Sequence, residues 1–219
     1  KYYPVAYLTN RKELIGLNIY DDKNVLIPRP ETELLVERAL RVFETIPASS
    51  TVADIGTGGG CIAISIAKNC SARVFAVDIS SSALKVARKN ARANNVSTQI
   101  KFLHGNLLEP IKNKKLDIII ANLPYLDNDL KNLTYSSFSK SLRYEPSISL
   151  KGGKDGLSIY RGLFQQAAKL KHLPKYILTE IGSTQDRPLS VFIKKILPNS
   201  KIQVLKDLNK KNRVIVVTT

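Results

Sequence analysis

The quartet Asn122-Leu123-Pro124-Tyr125 combines a side-chain amide, a neighbouring backbone carbonyl and an aromatic face. A planar NH₂ group entering such a corner could give one hydrogen to the Asn122 side-chain oxygen and the other to the Leu123 carbonyl, leaving its nitrogen aimed along one direction. That orientation suits in-line attack on a methyl group. Taken alone, an Asn-x-Pro turn closing a strand explains the same residues. Upstream, residues 52–61 read as a strand running into the turn Gly56-Thr57-Gly58-Gly59-Gly60 and then a helix, which brings a ligand close to bare backbone and to the free amides of a helix start. A P-loop would need Gly-Lys-Ser/Thr, and a dinucleotide fingerprint would need glycine where Cys61 stands. Glycine spacing by itself fits a tight structural turn as well as a ligand loop; strand, loop and helix together favour the ligand. Asp78 lies 22 residues after Gly56, at a second strand end, where a carboxylate can accept from both ribose hydroxyls or else cap the helix that follows. Asn106 and Leu107 close a third strand and offer an amide oxygen for an adenine amine and a cover for its ring.

These residues need elements that bring them to one edge. Short β-branched runs at 51–55, 73–77, 100–103, 116–121, 176–180, 201–205 and 213–218 imply seven strands, with amphipathic helical stretches at 30–44, 61–68, 81–94 and 159–169. The alternation predicts an α/β fold with a seven-stranded, mostly parallel sheet covered on both faces. The last two runs read as a hairpin that puts one antiparallel strand at the sheet's end. Residues 13–20 look extended, with a polar turn at 21–24 and a second run at 25–27, so a small β-hairpin is expected before the main domain. Pro30 suits a first helical turn, and Glu31 and Glu33 suit the positive end of that helix's dipole. Residues 126–158 show weak periodicity and read as a long connection of the kind that forms lids or recognition elements.

With 219 residues, 43% of them hydrophobic and 24% charged, one globular domain is expected and disorder is excluded. No apolar run approaches the ~20 residues of a membrane-spanning helix. Cys61 and Cys70 give neither a disulfide framework nor a metal spacing, so no metal site is expected and a reducing, cytoplasmic setting is. Thirty-four basic against eighteen acidic residues leave a net charge of +16, which fits attraction to RNA, the ribosome or an acidic surface as well as it fits solvated lysine-rich faces.

Asp54 to Gly60, Asp78 and Asn122 to Tyr125 together resemble the class I methyltransferases, Rossmann-like enzymes that use S-adenosylmethionine. Further motifs narrow the resemblance: Ile27-Pro-Arg-Pro-Glu-Thr-Glu33, Tyr144-Glu-Pro146, Leu150-Lys-Gly-Gly-Lys-Asp-Gly-Leu157, Glu180-Ile-Gly182 with Gln185, and Asp207-Leu-Asn-Lys-Lys-Asn-Arg213. Over residues 4–217 the chain resembles the HemK/PrmC family, the peptide chain release factor glutamine methyltransferases. The resemblance implies methylation of the side-chain amide nitrogen of the glutamine in a release factor's Gly-Gly-Gln motif. It implies that Asp54, Gly56, Thr57, Gly58, Gly59 and Gly60 serve the methionine end of the cofactor, Asp78 the ribose, and Asn106 and Leu107 the adenine. Asn122, Leu123, Pro124 and Tyr125 would hold the glutamine amide, with Asn122 also touching the cofactor. It further implies a monomer in which residues 1–27 are a linker hairpin and 28–219 the catalytic domain. The chain contains no methionine, and an upstream helical substrate-recognition domain is expected to be missing from it.

Three positions depart from the family pattern. Leu123 replaces a proline, keeping the carbonyl but not the fixed φ. Asn106 replaces an aspartate, keeping an acceptor but not its charge. Asn10 replaces a glycine and is among the residues that tolerate positive φ. The nearest alternative activity is methylation of an adenine exocyclic amine in RNA, whose NH₂ group presents the same two donors; the Pro-Arg-Pro-Glu-Thr-Glu segment and the Gly-Gly-Lys-Asp-Gly-Leu loop speak against it. A non-catalytic RNA- or ribosome-binding module is the other alternative, and gives no reason to keep Asp54, Asp78 and Asn122 together.

Overall fold

A computed structural model describes residues 2–128 and 140–219. Seven strands form one sheet: β3 (Thr51–Ile55), β4 (Arg73–Asp78), β5 (Ile100–His104), β6 (Ile118–Ala121), β7 (Tyr176–Glu180), β8 (Lys201–Lys206) and β9 (Asn212–Thr218). Their spatial order is β5-β4-β3-β6-β7-β9-β8. The five strands β3 to β7 pair in parallel, and β9 runs antiparallel to both β7 and β8. The antiparallel strand therefore sits one place in from the edge rather than at the sheet's end as expected, because β8 pairs outside it.

The central strands are apolar throughout, as parallel strands covered on two faces must be; β6 is Ile-Ile-Ile-Ala, buried at all four positions. Alternate residues divide between two cores. Val52, Val74, Ile118, Ile120 and Leu178 point to one side, packed on α2 (Glu31–Phe43), α3 (Cys61–Asn69) and α4 (Ser81–Ala93). Ala53, Phe75, Val77, Ile119 and Ile177 point to the other, packed on α5 (Ser158–Ala168) and α6 (Asp186–Ile196). The last of these helices is one the sequence reading did not place. Its start lacks a strong cap signal: Gln185 stands at the N-cap and spends its side chain elsewhere.

The N-terminal region differs from expectation. A short helix, α1 (Val5–Thr9), precedes a hairpin of β1 (Lys12–Leu14) and β2 (Leu17–Ile19), whose turn is Ile15-Gly16 and not 21–24. The segment 13–20 read as one extended run because its apolar residues continue across the turn, and glycine at φ +68° is the only local signal of reversal. Residues 25–27 form no strand; Val25 packs in a small cluster with Ala83 and Val86 of α4, Leu26 lines the cavities described below, and Ile27 is buried. Ile19 belongs to the α2–α3 core, the Asn90 side chain bonds both the N–H and the C=O of Tyr20, and the Tyr7 hydroxyl donates to the Val25 carbonyl at 2.5 Å. Of the connection expected at 126–158, residues 129–139 lie outside the described residues. The remainder folds back as two 3₁₀ turns, Leu142–Tyr144 and Ser147–Ser149, and a bridge between Leu126 and Lys151.

Candidate functional site

The parallel strands β3 to β6 all end at one edge, where two cavities lie side by side. The first, about 320 Å³, is walled by the turns after β3, β4, β5 and β6, with Val25, Pro146 and Ile148 above it. The second, about 370 Å³, runs from Arg29 and Pro30 past Tyr125 and Leu142 to Arg213. Both include Asn122, Leu123 and Pro124 in their walls, along with Leu26 and Ser149. The tip of β6 is thus the partition between them.

In the first cavity the β3 turn is held from behind. Asp54, fully buried, accepts from Thr57 Oγ1 at 2.6 Å and from the Ala63 N–H at 3.0 Å, tying the loop to the first turn of α3. Burial pushes its carboxyl up to about 7 against those two bonds. Gly56 and Gly58 form the lining, at φ +72° and +54°; an added Cβ on Gly58 would meet nothing within 4 Å, so its bare backbone faces open space. Thr57, Gly59 and Gly60 shape the turn without lining the cavity. Asp78 does line it, with one oxygen accepting from Gly58 N–H and the other from Ser80 N–H, both at 2.8 Å. Burial raises this carboxyl above the usual range, while those amides pull it back. Each oxygen keeps a lone pair for a further donor. Asn106 and Leu107 line the far side; the Asn106 amide leans on Glu109 at 3.4 Å, and Leu107 sits at φ +52°. His104 bonds the Ile79 carbonyl at 2.8 Å, which makes it part of the scaffold.

At the partition, the Asn122 side chain has one fixed orientation. Its Nδ2 donates to Thr32 Oγ1 at 3.0 Å and to Glu180 Oε2 at 2.9 Å, so both amide hydrogens are used and Oδ1 is left as the unengaged end. Thr32, from the Pro-Arg-Pro-Glu-Thr-Glu segment, in turn donates to Glu180 at 2.8 Å. Leu123 presses its side chain toward Gly56, 2.8 Å from where a Cβ would stand there. Its carbonyl lies 2.9 Å from the Tyr160 hydroxyl, which is closer, at 2.5 Å, to the Glu180 carbonyl. A hydroxyl has one hydrogen to give, so the Leu123 oxygen retains accepting capacity. Burial pushes Tyr125 up to about 12, keeping its phenol protonated in the wall of the second cavity.

The remaining motifs act as braces around this partition. Glu145 pairs with Arg29 and accepts from the Ile27 N–H at 3.1 Å, fastening the segment before α2 to the fold-back over the cavities. Gln185 accepts from Gly182 N–H at 2.9 Å and donates to the Tyr125 carbonyl at 2.8 Å. Arg213 is anchored to Asp207 at 2.9 Å. Sequence reasoning missed Tyr160, buried on the apolar face of α5 and bonded to both β6 and β7; a tyrosine on such a face is itself the signal, since its hydroxyl must find a partner.

A seven-stranded sheet in this order, with a glycine turn after β3, an acid after β4 and an amide after β6 facing adjoining cavities, defines a class I methyltransferase. Residues 31–141 match the family model described as the methyltransferase small domain. The chain is 36% identical over 215 residues to the release factor glutamine methyltransferase of Enterococcus faecalis, covering 98% of this chain and 75% of that one. It is 37% identical over 212 residues to the enzyme of the same name from Moorella thermoacetica, covering 96% and 73%. The chain belongs to the release factor glutamine methyltransferase family. Among solved structures, the N-terminal domain of human METTL16 in complex with SAH shares the fold, with TM-score 0.65 and 17% identity over 93% of this chain and 76% of that one.

Proposed function

We propose that this chain transfers a methyl group from S-adenosylmethionine to the side-chain amide nitrogen of the glutamine in a release factor's Gly-Gly-Gln motif. The observation that carries the reading is the shared partition: Asn122 stands in both cavities with its amide pinned through Nδ2, leaving Oδ1 as an acceptor for an incoming NH₂ group. The residues present fit the cofactor. Bare backbone at Gly58 suits its methionine end and the Asp78 carboxylate suits two ribose hydroxyls. Asn106 and Leu107 suit its adenine. When bound, the cofactor supplies a methyl group made electrophilic by a sulfonium.

A carboxamide nitrogen is a poor nucleophile because its lone pair is shared with the carbonyl, the resonance that also flattens a peptide bond. Alignment is therefore the main lever. Asn122 Oδ1 and the Leu123 carbonyl accept one hydrogen each, shift electron density toward nitrogen and hold it facing the first cavity; positioning of this kind is worth roughly 7–11 kcal/mol in favourable systems. Tyr125 covers the amide and attracts nearby cationic charge, a contact worth on the order of 0.5–2 kcal/mol. The nitrogen aligned by Asn122 and Leu123 would take the methyl group of a cofactor held at Gly58 and Asp78, the sulfur keeping the electron pair of the broken bond, and the proton of the acidified amide would pass to water. No dedicated base is needed. Residues 28–219 serve as the catalytic domain in this reading, and residues 1–27 brace it.

Incubation with methyl-labelled cofactor and either a release factor or ribosomal RNA tests the assignment. Label on the release factor glutamine supports it. Label in RNA instead selects adenine-amine methylation, which the +16 charge favours. Among the described residues no helix is long and apolar enough to cross a membrane.

A further inference from the structure

Glu180, at the end of β7, is buried beside Asn122 in the wall of the second cavity and has no role in the chemistry above. Its Oε2 sits in a closed triangle: 2.8 Å from Thr32 Oγ1 and 2.9 Å from Asn122 Nδ2, which are themselves 3.0 Å apart. We propose that Glu180 is a positioning residue for methyl transfer, which in its carboxylate form accepts from Asn122 and Thr32 and thereby fixes which end of the Asn122 amide is offered to substrate. This rests on the function proposed above.

Donor and acceptor capacity decides which end of the Asn122 amide faces the substrate. A carboxylate only accepts, so it forces the NH₂ end of Asn122 inward and leaves the oxygen for the substrate amide. A protonated Glu180 gains a donor, and Asn122 can then turn its oxygen inward and present NH₂ to the substrate's own NH₂, donor against donor. Which form is present is set within the working pH range. Burial pushes Glu180 up to about 7, and the groups facing it work in both directions. Glu31 at the start of α2 raises it further, Arg213 on β9 lowers it, as do the bonds from Thr32 and Asn122, and Tyr125, Tyr160 and Cys61 also feel its charge.

The test combines kinetics with a readout that needs no substrate. In Glu180→Gln, whose side chain keeps the size but not the charge, kcat at pH 8 should fall tenfold or more, while affinity for S-adenosylhomocysteine stays within threefold. Wild-type kcat should rise between pH 6 and 8, and this rise should flatten in the variant. Thr32→Val should lower kcat at least fivefold and Thr32→Ser restore it to within twofold of wild type. The Asn122 side-chain ¹H–¹⁵N signals of the chain with S-adenosylhomocysteine alone should move near pH 7 in wild type and stay still in Glu180→Gln. A Glu180→Gln enzyme with wild-type kcat and pH profile, a Thr32→Ser no better than Thr32→Val, or Asn122 signals constant from pH 5 to 9 would each overturn the proposal. The nuclear magnetic resonance arm stands even if no release factor is methylated, so the two failures are separable.

Discussion

Asn122 belongs to the walls of both cavities, whereas Asp78 lines only the first, and truncating them should separate catalysis from binding. Asn122→Ala removes the acceptor for the substrate NH₂ and should cut kcat at least a hundredfold, with affinity for S-adenosylhomocysteine by calorimetry changed less than threefold. Asp78→Ala should do the reverse. Losing two charge-assisted bonds, each worth about 1.5–3 kcal/mol, should weaken cofactor affinity by roughly a hundredfold or more and leave kcat at saturating cofactor within a few-fold. Equal loss of both properties in Asn122→Ala would make it a cofactor support. Such strand-end residues were legible in sequence because each follows a recognisable β-branched run. Their partners were not: Glu180 lies 58 positions after Asn122 and Tyr160 lies 37 after Leu123, and neither Asn122 nor Leu123 carries a mark of whom it will bond. Only the parallel pairing of β6 with β7 brings Glu180 within reach.

The elements around the partition explain why a glycine-rich segment far from the β3 turn matters. Gly156 has φ +71°, and a Cβ there would stand 2.1 Å from the Tyr125 carbonyl and 2.5 Å from the Gln185 side-chain nitrogen. Gly152 is equally confined, its Cβ position 2.4 Å from the Pro124 carbonyl. The loop before α5 therefore lies directly against the backbone of Pro124 and Tyr125. Gly156→Ala should push that backbone aside, lower the melting temperature by an amount equivalent to about 1–3 kcal/mol, and reduce kcat more than tenfold. Gly16→Ala is its control: φ is +68°, yet nothing lies within 4 Å, so about 1 kcal/mol of backbone strain is expected with no change in kcat. Differential scanning calorimetry and steady-state kinetics on both variants check the pair. The same contrast shows where sequence runs out. Continuous β-branched runs and helical periodicity located the sheet and four of its helices, since both report burial directly. The β1–β2 turn and α6 escaped, because an apolar run does not say where it reverses and an uncapped start gives no boundary.

Across the whole molecule, a strongly basic surface encloses carboxyls held in an unfavourable setting. Asp21 is the clearest: it is fully buried, neither side-chain oxygen has a hydrogen-bond partner among the described residues, and burial pushes it up to about 7. Glu145 and Asp22 raise it further, while Lys12 and Arg29 pull it down. Its carboxyl packs near the glycine turn, with Oδ1 3.8 Å from where a Gly59 Cβ would stand. The sign of the consequence is fixed. Between the ordinary aspartate value near 3.9 and about 7, the unfolded chain has released this proton and the folded chain has kept it, so stability falls as pH rises through that window and stays lowered above it. Asp21→Asn removes the ionisation without changing the side chain's size. Relative to wild type, its unfolding free energy should therefore improve by about 4 kcal/mol on going from pH 4 to pH 8, whatever constant offset the amide introduces. Urea unfolding at the two pH values measures that difference directly, and a difference that does not grow with pH would mean that a partner for Asp21 forms in solution.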